Sequence, residues 1–298
     1  MNRSLFGAAA PWLMLAGSTL ACLTRADCWA DDLAPAITPV GGPIRLFNGK
    51  NLDGCYTWLK DTKRDDPRQV FRVTDDGMLH VTGDGWGGIV TNDRYRDYHL
   101  VVEFKWGSRT WQERENAARD SGILIHSNGV DGGYEGTWMP AIEVQIIEGG
   151  VGDFILVTGN DEAGQPVPVA LSSRVRKVAN EVIWQDDGLA ERFDAKNRRR
   201  VNWFGRDPAW KDAKGFRGTA DVESPPGKWT RIDVMADQER IRVFVNGTKV
   251  NEAFGASPRA GRIQLQSELA EIFFRRWELW PVGQGPKPAA ADRPAAAP

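Results

Sequence analysis

Glu143, Gln145 and Glu148 stand in the run Ala141-Ile-Glu-Val-Gln-Ile-Ile-Glu148, where they alternate with Ile142, Val144 and Ile146. Period two is the side-chain period of a strand, so the aliphatic residues share one face and Glu143 and Gln145 share the other. Folding demands no acid and amide there, and such a face is either wet or lines a cleft. The cleft is favoured because Asp120-Ser-Gly-Ile-Leu-Ile-His126 delivers an imidazole just upstream. Strict alternation sends Glu148 to the aliphatic face, whereas a bulge before Gly149-Gly150 returns it to the side of Glu143. A carboxylate and an imidazole facing one hollow are a general acid–base pair. His126, Glu143 and Glu148 are also the N and O donors from which a divalent metal site would be built.

A second polar ladder follows the same rule. Gln264, Gln266 and Glu268 oppose Ile263 and Leu265, so Gln266 and Glu268 are candidate ligands for a substrate, with the wet side of a sheet as the plain alternative. Arg119, Trp138 and Asp153 lie where loops meet the expected cleft and join them. His80 and His99 sit in strand-like runs and read as surface residues, while Arg275, in phase with Phe273, Trp277 and Leu279, reads as a partly buried, paired cation. Cys55 has no His near it in sequence, and no His-x-x-x-His or Cys-x-x-Cys spacing supports zinc. Gly85-Trp-Gly-Gly88 leads into a strand and not a helix, which excludes a phosphate loop.

Short β-type runs position these groups, at 44–47, 70–73, 78–82, 88–91, 99–106, 122–126, 141–147, 154–157, 230–235, 240–245, 248–251, 262–267 and 271–280. Asn246-Gly247 between two of them supplies the positive φ angles of a two-residue type I′ hairpin. Amphipathic helices are absent from the pattern, and many antiparallel strands without crossovers imply a sandwich or barrel. The charged, aromatic stretch 171–222 breaks the rhythm and is expected to be an insertion folded over the sandwich, at one rim of the cleft or as a structural flap. Residues 43–282 are thus expected to form a single domain.

The ends read differently. Arg3, an apolar run from Leu5 to Leu23 broken by Pro11, and small residues up to Ala30 have the grammar of a secretory signal peptide over 1–30, which implies a periplasmic or secreted protein with no membrane span after cleavage. A flexible lead-in at 31–42 and a disordered Pro/Ala tail at 283–298 complete the plan. A net charge of -2 gives no field for a polyanion, and the cluster Lys196-Asn-Arg-Arg-Arg200 is flanked by acids, so nucleic acid is not expected as a partner. Thirteen Trp residues suit either stacking on sugar rings or the filling of a large core.

The spacing Glu143-Val-Gln-Ile-Ile-Glu148 resembles the Glu-x-Asp-x-x-Glu signature of laminarinase-type β-glucanases, with Gln145 in place of the middle Asp. That departure puts direct retaining hydrolysis in doubt, since the tuning carboxylate is gone. The wider order of motifs resembles the 3-keto-disaccharide hydrolase family. Leu46-Phe-Asn-Gly-Lys-Asn-Leu-Asp-Gly54, Tyr98-His-Leu-Val-Val-Glu-Phe-Lys-Trp106, Ser121-Gly-Ile-Leu-Ile-His126, Ile142-Glu-Val-Gln-Ile-Ile147, Trp229-Thr-Arg-Ile-Asp-Val234 and Gly261-Arg-Ile-Gln-Leu-Gln-Ser-Glu268 carry the resemblance. It implies an all-β, concanavalin A-like jelly-roll β-sandwich with long loop insertions. The substrate it implies is a glycoside whose C3 hydroxyl is already oxidised to a ketone. It further implies cleavage by removal of the C2 proton, elimination at C1 and hydration. On this reading Glu143 is the base, His126 is the acid or a ligand for the enolate oxygen, and Gln145 donates to a sugar hydroxyl. Hydrogen-bond donors or a divalent metal hold the enolate oxygen on this reading, and no cofactor is fixed by it. A lectin-like module, a conventional β-glucanase and a scaffold domain are the alternatives.

Overall fold

The computed structural model describes residues 35–287, which fall within one compact unit. The expected signal peptide and most of the terminal tail lie outside the described residues. In chain order the strands are β1 (Ile44–Arg45), β2 (Cys55–Leu59), β3 (Phe71–Val73), β4 (Leu79–Val81), β5 (Trp86–Thr91), β6 (Tyr98–Thr110), β7 (Asp120–Ser127), β8 (Ala141–Ile147) and β9 (Phe154–Val157). There follow β10 (Ala170–Val178), β11 (Glu181–Trp184), β12 (Leu189–Asp194), β13 (Arg200–Val201), β14 (Thr230–Asp237), β15 (Arg240–Val245), β16 (Thr248–Ser257), β17 (Arg262–Glu268) and β18 (Ala270–Trp280). A single 3-10 turn, Gln112–Arg114, is the one helical piece among the described residues.

Antiparallel pairing sorts these strands into two sheets. The larger, of eleven strands, runs β11-β10-β16-β15-β14-β6-β18-β4-β3, with β1 and β12 attached to β18 and β10; the smaller, of seven, runs β13-β9-β8-β7-β17-β5-β2. Their inner faces interdigitate. Ile123, Ile125, Ile142, Val144, Ile146, Ile263 and Leu265 of the smaller sheet join Leu100, Val102, Phe104, Ile232, Val234 and Phe274 of the larger in one buried cluster. The fold is the expected jelly-roll sandwich. Its strands alternate because each has one face in this core, and burying it is the main stabilising term. Between β15 and β16, Asn246 and Gly247 take φ of 48° and 83°, as a type I′ turn requires.

The stretch 171–222 departs from the expectation. Roughly its first half is woven into the sheets: β10 pairs with β16 of the larger sheet and carries β11 and β12, while β13 extends the smaller sheet beside β9. Charged residues on the exposed faces of these edge strands hide the alternation that Val175, Val182, Ile183 and Phe193 otherwise supply. The remaining loop, 202–229, packs over one end of the sandwich. At the other terminus, part of the expected disordered tail is fixed: Gly285 donates its N–H to His99 Nδ1 at 3.0 Å and Arg231 Nη2 donates to the Pro286 carbonyl at 2.6 Å. His99 in turn donates from Nε2 to Asp233 at 2.7 Å, so this histidine is buried behind a strap and does not face solvent.

Candidate active site

The outer face of the smaller sheet carries the polar ladders. Cross-strand register places Glu143 opposite Leu124 and Ile155, Gln145 opposite Gly122, and Ile147 opposite Asp120. On the far side of β7, Gln264 pairs with Leu124, and beyond it Gln266 and Glu268 stand opposite Gly88 and Trp86 of β5. Directly opposed residues share a face, so Asp120, Glu143, Gln145, Gln266 and Glu268 point the same way. Gly122 lies among them. A Cβ on it would come within 2.6 Å of Glu143 Oε1 and closer still to Gln266 Oε1, so the side chains of β8 and β17 meet across β7 only because that atom is missing.

Asp120, Glu143, Gln266 and Glu268 are all buried, yet Asp120 Oδ1, Glu143 Oε1, Glu268 Oε2 and both polar atoms of Gln266 find no hydrogen-bond partner outside the cluster, within which Gln266 lies against Glu143 and Glu268 against Asp120. Native proteins rarely leave such atoms unmet, and a cluster of them marks a place built for something other than packing. Their acidities are displaced accordingly. Burial, then the Asp120 charge, pushes Glu143 up to about 8, against the pull of Arg200 and Gln266. Burial likewise raises Asp120 to about 6, with Arg114 opposing. Glu268 is driven well above the usual carboxylate range by burial and by its two acidic neighbours. Near neutrality Asp120 and Glu143 therefore offer an ionised and a protonated carboxyl side by side.

Aromatic residues wall one side of this cluster. Trp138, which donates from Nε1 to the Gly87 carbonyl at 2.7 Å, packs with Leu124, Ala141 and Val157. Tyr134 stacks on it with centroids 6.1 Å apart and Trp86 meets it edge-on at 5.9 Å. Trp86 is half-buried and next to Glu268, so Trp138 reads as the rigid backing and Trp86 as a face a sugar ring can reach.

The other expected residues part company with Glu143. His126 sits at a bulge between β7 and β17, with φ of 53°. The bulge turns its ring inward against Tyr98 of the larger sheet, 5.7 Å between centroids, where Nδ1 donates to the Pro258 carbonyl at 2.9 Å. Fully buried, it is pushed down to about 4 and is neutral. The expected pairing of His126 with Glu143 is thus overturned: the two residues project from opposite faces of the sheet. Glu148 differs too. The register from Ile142 to Ile147 is unbroken, so no bulge returns Glu148 to the outer face. It is ion-paired with Arg119 and accepts the Gly215 N–H at 2.8 Å, while its carbonyl accepts Trp210 Nε1 at 3.0 Å. Arg119 and Glu148 therefore clamp the 202–229 loop and line a separate cavity of about 60 Å³ with Trp106, Arg217 and Glu223.

Asp153 lies beside Gln145 but is committed to Arg200, 2.5 Å from Nη2, and to the Trp203 N–H at 2.6 Å. Gln145 keeps its place on the outer face, with Oε1 accepting the Ile146 N–H at 2.8 Å. His126, Glu143 and Glu148 occupy three different surroundings and cannot meet on one metal ion. Among the described residues no group of three or more His, Cys, Asp or Glu is arranged to hold one.

Asp120, Arg114, Arg200 and Gly122 were not singled out from the sequence. Asp120 was legible, being in phase with Gly122 and Leu124. Arg200 was not, because its strand is two residues long and embedded in a basic run.

Among solved structures, the chain is similar to a putative glycosyl hydrolase from Parabacteroides distasonis at 17% identity and TM-score 0.45, covering 81% of this chain and 94% of that one. It is also similar to a carbohydrate binding module from Bacillus subtilis, at 10% identity and TM-score 0.42 over 76% and 94% of the two chains. A Bacillus licheniformis β-glucanase stands at 13% identity and TM-score 0.39 over 81% and 98%. No curated protein matches the chain. Residues 42–279, which span both sheets and every member of the buried cluster, match the family model of the 3-keto-alpha-glucoside-1,2-lyase-like domain, and the chain belongs to that family.

Proposed function

We propose that this carbohydrate-active domain cleaves 3-keto glycosides by elimination followed by hydration, with the carboxyl trio in place of the Glu143 and His126 pair. The observation that carries the reading is the cluster of unpartnered buried atoms on Asp120, Glu143, Gln266 and Glu268. A C3 ketone acidifies the C2 proton. Asp120, the readiest of the three to ionise, takes that proton, and the electrons pass to the C3 oxygen as an enolate, which the Gln266 amide meets with a hydrogen bond. Collapse of the enolate forms the C1–C2 double bond and breaks the C1–O bond. Glu143, which holds a proton at neutral pH, gives it to the departing oxygen. Water then adds across C1–C2 to give the free 3-keto sugar. Two carboxyls whose environments separate their acidities are what such a sequence needs, and a matched nucleophile is not.

The N-terminal apolar run supports export, and with it a periplasmic or extracellular setting for the reaction. The test is to incubate the purified protein in D2O with 3-keto and ordinary glucosides and follow the sugar by NMR. Cleavage of the 3-keto substrate alone, with deuterium entering at C2, is expected. Release of sugar from ordinary glucosides only, or binding of both without turnover, would sink the proposal, the latter in favour of a lectin-like module.

A further inference from the structure

One arginine touches both the carboxyl trio and the loop that covers its end of the sandwich. Arg114, in the 3-10 turn between β6 and β7, directs Nη2 to Asp120 Oδ2 and Nη1 to Asp212 Oδ1 at 3.1 Å, while Nη1 also donates to the Ala118 carbonyl at 3.1 Å. Asp212 belongs to the 202–229 loop, and the same Oδ1 accepts the Ala118 N–H at 3.0 Å. Further bonds seat this part of the loop: Gly215 N–H to Glu148 Oε2 at 2.8 Å, Trp210 Nε1 to the Glu148 carbonyl at 3.0 Å, and Lys214 N–H to the Asn116 carbonyl at 3.0 Å.

We propose that Arg114 is a positioning residue that couples the seating of loop 207–216 to the charge state of Asp120, by dividing its guanidinium between Asp120 in the site and Asp212 in the loop. The proposal rests on the reading of Asp120 as a member of the reacting cluster, but its test does not. A planar fork fixed at both ends holds one carboxylate in a set orientation, which a Lys point charge cannot reproduce. With the loop seated, Asp212 draws on the same cation and adds its own negative charge, so Asp120 binds its proton more tightly than it would beside an unshared arginine. Without the Asp212 charge, Arg114 serves only Asp120 and the Ala118 carbonyl, and Asp120 becomes a weaker base. Glu268 and Glu143 face Asp120 from β17 and β8; the Glu268 hydrogen bond holds the pKa of Asp120 down, as Arg200 on β13 does, while Asp212 raises it. Seating of the loop thus strengthens the base.

The experiment is an NMR titration of the Asp120 side-chain carboxyl in ligand-free full-length protein carrying 13C-labelled aspartate, with Asp120→Asn identifying the signal. Asp212→Asn keeps the oxygen that accepts the Ala118 N–H and removes only the charge. It should lower the Asp120 midpoint by about half a pH unit. Arg114→Gln should raise it by about one unit or more, and Asp212→Asn on that background should produce a smaller shift than it does alone. An unmoved midpoint in Asp212→Asn, with the Gly215 amide still protected from exchange, would overturn the coupling. So would equal shifts in the two backgrounds. If Arg114→Gln fails to fold, the Asp212→Asn result decides alone. Coupling seen in a protein that cleaves no 3-keto glycoside leaves this inference standing and removes the functional reading.

Discussion

Glu143 and Gln266, from strands on either side of β7, come together directly above Gly122, which lacks the one atom that would separate them. The φ of Gly122 is not left-handed, so Ala fits the backbone, yet its methyl would wedge into the pair. Gly122→Ala should cost about 1–3 kcal/mol of stability and lower kcat about a hundredfold. Thermal melts and turnover of a 3-keto glucoside measure both, and an active Ala variant would mean the pair does not act together.

Glu143→Gln keeps the shape and removes the proton. Turnover of 3-keto glycosides should fall by about 10²- to 10⁴-fold while the substrate still binds, as read by tryptophan fluorescence. Equal losses in binding and turnover would point to recognition and not to chemistry.

The same residue sets a stability trend. Glu143 at about 8 in the folded protein, against an ordinary 4.5, means the native state keeps a proton that the unfolded chain releases. Its unfavourable contribution is absent below about pH 4.5, grows as pH rises, and is complete above about pH 8. The melting temperature should therefore decline across this window, and decline less in Glu143→Gln. A profile that is the same in both proteins contradicts the displaced acidity.

Activity should trace a bell. Ionisation of Asp120 near 6 opens the acid limb and loss of the Glu143 proton near 8 closes the alkaline one. The two limbs belong to the coupled trio and not to single residues. Measurement of kcat/KM from about pH 5 to 9.5 checks this, and a rate that keeps climbing past pH 9 would show that the Glu143 proton is not needed.

His126 should prove dispensable for chemistry. His126→Asn suits the left-handed backbone but leaves a gap against Tyr98, so about 1–3 kcal/mol of stability should be lost while kcat stays within a few-fold. A thousandfold loss of kcat in a folded variant would restore the imidazole to the reaction.

The reading from sequence succeeds where one side-chain period governs a whole strand. Glu143, Gln145, Gln266 and Glu268 all keep the face their alternation assigns, because Ile142, Val144, Ile263 and Leu265 are held in the core. It fails where a single residue changes phase. The bulge at His126 reverses the ring, and nothing local in Ile-Leu-Ile-His announces it, since its cause is a register shift against β17. The absence of a bulge at Glu148 is equally invisible, because Gly149-Gly150 would serve either outcome. Arg114 and Arg200 reach the site through tertiary contacts alone, from a turn and from a two-residue strand.

Gly285 and Pro286 are held by His99 and Arg231, which project from the side of the larger sheet turned away from the core. Gly285 and Pro286 thus lie on the back of the described domain, with the carboxyl trio on the front. Coupling the protein to a bead through the exposed Lys287 would therefore orient every copy with the carboxyl trio toward bulk solution, whereas random attachment through all surface lysines would bury a share of them.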